Sequence, residues 1–256
     1  MAQPKAGAGG WQNAPSNDIA RLMSRLVHII EHWDTPPDAG QKFLVAQGFD
    51  VRVHHPWNGD PVPKVTGGEA GVLVMGGPQM VSAHEKWPYL ADEFALIEQA
   101  MRQDVPLIGV CLGSQMIAHV LGAKVNYGDD PEALSMGFYE TRSPADGFMP
   151  TSMMTLNGNA QGWELPHGAT LLARSDQTLH PNQAFSYDNK VLGLQFHPEV
   201  TREIFDLWHA YYGHLIGRPG TQTQVAQNEG FAKWQNEAIE WYEDILTERF
   251  QTHRPT

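Results

Sequence analysis

The chain of 256 residues has a single cysteine, Cys111, so no intrachain disulfide can form. A lone thiol in a chain of this size belongs by default to a reducing compartment, and the expected location is cytoplasmic. Basic residues are also scarce: 17 Lys and Arg stand against 29 Asp and Glu, a formal charge of −12. No run of Lys or Arg is dense enough to neutralise a phosphate backbone, so nucleic acid is not an expected partner. No apolar stretch reaches the roughly 18 to 20 residues that cross a bilayer, and the N-terminal residues have no apolar signal core. No membrane association is expected. A Gly-rich phosphate loop is missing, and a chain of this length with 41% hydrophobic residues suits one full core and is marginal for two.

What is present is a change of pattern along the chain. Residues 1–18 are rich in Gly, Ala, Pro and amides, with Trp11 the only bulky anchor, and read as a flexible arm. From Leu26 short apolar runs alternate with segments of helical period: LVHII, a helix near Gln41 to Gln47, FDVRV, GVLVM, a helix from about Tyr89 to Arg102, VPLIGV, and a helix from about Leu112 to Leu121. Strand and helix alternating in this way predict an α/β fold, a mostly parallel sheet with helices on both faces. Between Gly122 and Asn189, MMTL and TLLA are strand-like pieces broken by Gly, Pro and Asn, and read as an excursion of hairpins. VLGLQF returns to the character of a buried strand, and Thr201 to Ile216 reads as a helix. The main domain is thus expected over residues 19–217, with residues 218–256 an extension: a polar linker over 218–229, then a C-terminal amphipathic helix. That helix carries Phe231, Trp234, Ala238, Trp241 and Ile245 as an apolar stripe. The stripe either packs on its own domain or meets another subunit, such as a second copy of the chain.

Three short segments carry chemistry. The first is PLIGVCLGSQMIAHVL at 106–121, a β-run that ends in G-V-C-L-G and opens at once into an amphipathic helix. This is a nucleophile elbow with cysteine as the nucleophile. Small residues at Gly109 and Gly113 let strand and helix pass closely, and a helix N-terminus at Cys111 favours the thiolate. A buried structural cysteine is the plainer reading of Cys111 alone. The second is VLGLQFHPEV, where His197 leaves an apolar strand and Glu199 follows two residues later, so that at β spacing the carboxylate reaches one imidazole nitrogen while the other faces the thiol. A surface histidine beside a solvated acid is the alternative. The third is MGGPQM at 75–80, where paired glycines beyond a strand allow backbone N–H groups to face a ligand, although in isolation a simple turn explains them.

GGP at 76–78, GVCLGSQ at 109–115 and FHPE at 196–199, in this order, resemble the class I glutamine amidotransferases, in particular the amidotransferase domain of GMP synthetases and their freestanding relatives. The resemblance covers roughly Leu26 to Ile216. It implies a flavodoxin-like sheet, with Cys111 as nucleophile, His197 as general base and acid, and Glu199 as orienter. It also implies an oxyanion hole from the backbone N–H groups of Gly77 and Leu112, and substrate contacts from Gly76 and Gln115. No cofactor and no metal ion are called for. Freestanding relatives usually carry Trp-His-Gly-Asp shortly before Leu-Pro-x-Gly; counting back from Leu165, those places hold Gly158, Asn159, Ala160 and Gln161. Two neutral amides, Asn159 and Gln161, therefore stand near where the substrate approaches, which puts glutamine itself in question.

The expected function is hydrolysis of a γ-glutamyl amide through a glutamyl thioester, releasing glutamate and an amine from a small-molecule γ-glutamyl substrate. The alternative within the family is a glutaminase subunit feeding ammonia to a synthase partner on another polypeptide. A non-catalytic binding or regulatory subunit is the reading from another class, and the intact Cys, His and Glu set argues against it. His28-Ile-Ile-Glu31-His32 matches the H-x-x-E-H pattern of some zinc peptidases, but lies in an apolar run expected to be the first strand, where His28 and Glu31 face opposite sides.

Overall fold

The computed structural model describes residues 25–130, 132–144 and 147–251; the arm expected over residues 1–18 lies outside them. The elements run β1 (Leu26–Ile30), α1 (Ala39–Ala46), β2 (Asp50–His54), β3 (Gly71–Val74), α2 (Leu90–Arg102), β4 (Leu107–Val110) and α3 (Leu112–Val120). Then come β5 (Val125–Tyr127), β6 (Ser135–Arg142), β7 (Ser152–Asn159), β8 (Gln161–Trp163), β9 (Thr170–Arg174), β10 (Asn182–Tyr187) and β11 (Val191–Leu194). Two helices close the described chain, α4 (Arg202–Tyr212) and α5 (Gln224–Gln251).

Nine strands form one sheet in the order β2-β1-β3-β4-β11-β10-β9-β6-β7, and β5 pairs with β8 in a small separate ribbon. The first five are parallel to one another and the remaining junctions are antiparallel. The strand and helix alternation therefore reports the parallel half faithfully. The middle segment differs from the hairpin excursion expected of it, because most of its strands continue the main sheet. Their alternating polar residues fit antiparallel strands, while β3, β4 and β11 are buried throughout and read as unbroken apolar runs.

Period-two alternation divides the core between the faces. Val72, Val74, Leu107 and Val191 pack with Leu96 and Ile97 of α2 and Met116 and Ile117 of α3. Val27, Ile29, Leu73, Ile108 and Leu194 pack on the other side with Leu44 of α1 and with Tyr242, Leu246 and Phe250 of α5. Helix α1 starts where Asp38 accepts a hydrogen bond from the Gln41 N–H at 2.9 Å, and α4 starts at the Thr201 cap.

The C-terminal segment departs from the sequence reading in two ways. The stretch read as a polar linker over 218–229 is helical from Gln224, and the part before it is a strap along β6. There the Gln222 N–H donates to the Met136 carbonyl at 2.9 Å, and its side-chain amide both accepts from the Phe138 N–H and donates to the Phe138 carbonyl. A side-chain amide mimics a strand partner, so the segment is polar because it pairs. The apolar stripe of α5 is spent inside this chain: Ala238 is 0% and Ile245 5% exposed, and Phe231 and Trp234 pack against Phe138 and Phe205. Of the two places held open above for the stripe, its buried part takes the first and packs on its own domain.

Candidate active site

The elbow is built by close backbone approach. A Cβ at Gly113 would lie 1.9 Å from the Val74 carbonyl oxygen, and one at Gly109 would lie 2.5 Å from the Gly113 carbonyl. Only hydrogen fits at either place, as the spacing predicted. Between them Cys111 takes φ 49° and ψ −105°, a conformation that costs a non-glycine residue about 1 to 3 kcal/mol. The turn is held by the Cys111 N–H donating to the Leu194 carbonyl at 2.7 Å, and by the Ser114 hydroxyl donating to the Cys111 carbonyl at 2.7 Å. Trp163 in turn donates its indole N–H to Ser114 Oγ at 3.1 Å. Leu112 begins α3, where its N–H has no intrahelical carbonyl to meet.

Strand β11 ends at Leu194, earlier than the VLGLQF reading, so His197 and Glu199 stand on the bent segment beyond it. They still meet: His197 Nδ1 lies 2.8 Å from Glu199 Oε1, with the two side chains 4% and 7% exposed. Trp208 from α4 packs perpendicular to the imidazole, with centroids 4.6 Å apart at 87°. His197 Nε2 is buried without a hydrogen-bond partner. Burial alone lowers the pKa of His197, but the Glu199 carboxylate and then Cys111 outweigh it and hold the imidazole up to about 10. Gly76 explains how the ring fits, since a Cβ there would come within 2.9 Å of His197 Cε1 and 3.6 Å of Cys111 Cβ.

These groups line a cavity of about 200 Å³ whose walls include Gly76, Gly77, Cys111, His197 and Glu199. Its other walls are largely apolar, with Trp33, Met80, Leu134, Met136, Trp208 and Leu215 among them. The remaining sequence-predicted contacts stand back from it. Along β7 and the turn after it the cavity takes Gly158 and Ala160, so strand alternation sends Asn159 and Gln161 away. The Asn159 amide donates to the Gln161 carbonyl at 3.0 Å, and the Gln161 amide donates to Ser82 Oγ. Gln115 also lies behind the wall, where its amide donates to the Gln161 carbonyl at 2.9 Å and contacts Gln195 Oε1 at 3.4 Å. Gln195, fully buried, passes this on by donating to Cys111 Sγ at 3.7 Å.

The zinc-like run is divided among separate jobs. His28 Nδ1 meets His54 Nε2 at 3.0 Å on the edge of the sheet. His32 Nε2 meets Glu93 Oε2 at 2.8 Å, both side chains fully buried, and the His32 carbonyl accepts from Gln79 at 2.9 Å. A Cβ at Gly77 would lie 2.3 Å from His32 Cβ, so His32 buttresses the Gly-Gly turn. Among the described residues no three His, Cys, Asp or Glu side chains are placed to hold a metal ion.

Sequence reasoning missed Gln195, Trp208 and Gln235. Gln235, fully buried on α5, directs its amide at the carbonyls of His197 and Pro198, each at 3.3 Å, and of Val200 at 3.1 Å. The signal for it was a polar residue set beside the apolar stripe, one position past Trp234. Replacing Gln235 with alanine leaves buried carbonyls unpartnered, and is expected to cost about 2 kcal/mol of stability and to lower kcat by loosening the His197 segment. Denaturant melts and turnover of Gln235→Ala measured together check this; an unchanged melt would remove the clamp.

Comparison with known proteins gives the family. Residues 42–207 match the family model Glutamine amidotransferase class-I, and the chain belongs to that family. Within it, the chain is similar to the GMP synthase [glutamine-hydrolyzing] of Bacillus subtilis, 31% identical over 153 residues that make up 56% of this chain and 26% of that protein. It thus spans about a quarter of the length of that relative. It is similar along most of both lengths to the putative glutamine amidotransferase-like protein YfeJ of Salmonella typhimurium, 30% identical over 237 residues, 87% of this chain and 93% of that one. Among solved structures, the glutamine amidotransferase of Thermotoga maritima superposes with a TM-score of 0.78 at 24% identity, covering 88% of this chain and 98% of that one. That of Methylobacillus flagellatus superposes with a TM-score of 0.81 at 22% identity, covering 91% and 97%. At these identities the two structures speak for the fold. No helix of the described residues is long and apolar enough to cross a membrane.

Proposed function

We propose that the protein is a freestanding γ-glutamyl amide hydrolase of the cytosol, working through Cys111, His197 and Glu199. The observation that carries this is His197: Glu199 occupies its Nδ1 at 2.8 Å, while its Nε2 is unpartnered in the cavity that Cys111 also lines. The Cys111 thiolate attacks the γ-carboxamide carbon, and the tetrahedral oxyanion is held by the N–H groups of Gly77 and Leu112. The His197 imidazolium donates its Nε2 proton to the departing nitrogen, leaving a glutamyl thioester. The neutral imidazole then takes a proton from water, which attacks the thioester and releases glutamate with the thiolate and imidazolium restored. Gly76 keeps the ring path open; Gln115, Asn159 and Gln161 act on the glutamyl group only indirectly, by fixing Gln195 and the β7 turn.

One feature favours an amine larger than ammonia, the apolar walls of the cavity. A second reading, a glutaminase subunit serving a separate synthase, is favoured by the similarity to GMP synthases. The test is glutamate release by the purified chain from glutamine and from γ-glutamyl isopropylamide, anilide and dipeptide. Turnover of one amide well above glutamine is expected. Glutamine cleaved only on adding a synthase would move the assignment to the second reading.

A further inference from the structure

We infer that Glu31 and Asp38 form a subsite for an ammonium group carried on the amine half of the substrate. The inference rests on the hydrolase reading and names its substrate class: γ-glutamyl amides of aminoalkyl amines. Glu31 follows β1 and Asp38 caps α1, and both line the cavity beside Glu199. As whole residues the three acids are 6%, 3% and 5% exposed. Asp38 spends Oδ1 on the Gln41 N–H at 2.9 Å, and its Oδ2 is buried with no partner.

Facing these acids are His197, which Glu199 already occupies, and Tyr242 of α5, an uncharged phenol whose hydroxyl is also buried without a partner. Lys42 on α1 is half exposed and paired with Glu203 at 3.1 Å, and among the described residues no Lys or Arg lines the cavity. Carboxyl groups are thus collected in a buried place with one cation to answer them, where ionising them all is costly unless a ligand supplies another. Burial first, and then neighbouring carboxylates, push Glu31 well above its usual range, and Asp38 is raised to about 7 mainly by burial. The acids are not gathered tightly enough for a metal ion, whereas an ammonium accepts spaced hydrogen-bond partners.

The charge of the site selects the half of the substrate. The Ala39 N–H, next to Asp38, donates to the Glu199 carbonyl at 2.9 Å, so the acids sit on the Glu199 side of His197. The glutamyl half carries a carboxylate beside its ammonium, which a group of acids with no lining Lys or Arg would repel, so the ammonium they suit belongs to the amine half. The apolar walls of the same cavity suit a methylene chain.

The test compares γ-glutamyl aminobutylamide with its uncharged isostere, γ-glutamyl pentylamide, in the native protein and in Glu31→Gln and Asp38→Asn; asparagine keeps the helix cap. A preference for the aminobutylamide of roughly tenfold or more in kcat/KM is expected, falling towards unity in both variants. Equal use of the two amides by the native protein, or an unchanged preference in both variants, overturns the subsite. Glutaryl pentylamide, which lacks the α-ammonium, locates the charge that is read. If the variants instead erase the preference for γ-glutamyl over glutaryl pentylamide, the acids bind the glutamyl half and the assignment to the amine is wrong. Equilibrium binding to Cys111→Ala separates this from the hydrolase reading. Tighter binding of the aminobutylamide there sustains the subsite even if no amide turns over; equal binding overturns it.

Discussion

Cys111→Ala is expected to lower kcat for amide hydrolysis by at least about 10⁴-fold, with the fold intact. The loss is large because there is no substitute: Cys111 is the only thiol in the chain, and Ser114, three residues on, is committed to the Cys111 carbonyl and to Trp163. The fold survives because alanine fits wherever cysteine does, and the elbow is held by backbone hydrogen bonds and by Gly109 and Gly113. Labelling by a thiol alkylator should disappear together with turnover. Glutamate release, alkylation and a thermal melt of the variant check the expectation. A folded Cys111→Ala protein with native turnover would remove the nucleophile and the mechanism with it.

Glu199→Gln is expected to lower kcat by roughly 10² to 10⁴-fold, less than His197→Ala, because orientation and charge support are lost while the imidazole remains. Its diagnostic effect is on pH dependence. In the native protein His197 is held up to about 10, so it stays an imidazolium through neutral pH, and the alkaline fall in rate is set near that value. The glutamine variant lacks the main raising influence, so the alkaline limb moves to lower pH. Stability follows with the same sign. His197 binds its proton more tightly folded than unfolded, where its pKa is about 6.5. Its contribution is complete below that pH and is lost as pH rises through the folded value. Between these limits the native protein should lose stability with rising pH through this group, and Glu199→Gln should lose less. Rate profiles and denaturant melts across that window check both; an alkaline limb that does not move would show that Glu199 is not what holds the proton.

The parallel half of the sheet and the elbow were legible because their causes are local. An apolar run, then two glycines bracketing Cys111, then a helical period can be met in only a few ways. His197 and Glu199 were also readable, although for the wrong geometric reason: they meet on a bent segment past β11 rather than along a strand. What escaped the sequence was side-chain direction in the middle segment. Counting to Asn159 and Gln161 finds the right turn but not which alternate residues face the cavity, and Gly158 and Ala160 have no polar signature to announce them. Gln222 was hidden for a related reason, since an amide that mimics a strand partner resembles linker composition. Gln235 depends on pairing across distant sequence, which periodicity does not encode.

The position of Gln235 also bears on how the protein comes into being. A chain leaving the ribosome can lay down β1 to β11 and present Cys111, His197 and Glu199 before α5 exists, and in that interval the carbonyls at 197, 198 and 200 lack their buried donor. One face of the sheet, with Val27, Ile29 and Leu73, is likewise uncovered until Tyr242, Leu246 and Phe250 arrive. A nascent chain arrested before α5 emerges therefore carries Cys111, His197 and Glu199 without the clamp behind them. The last helix to be made is the one that closes the molecule around its only cysteine.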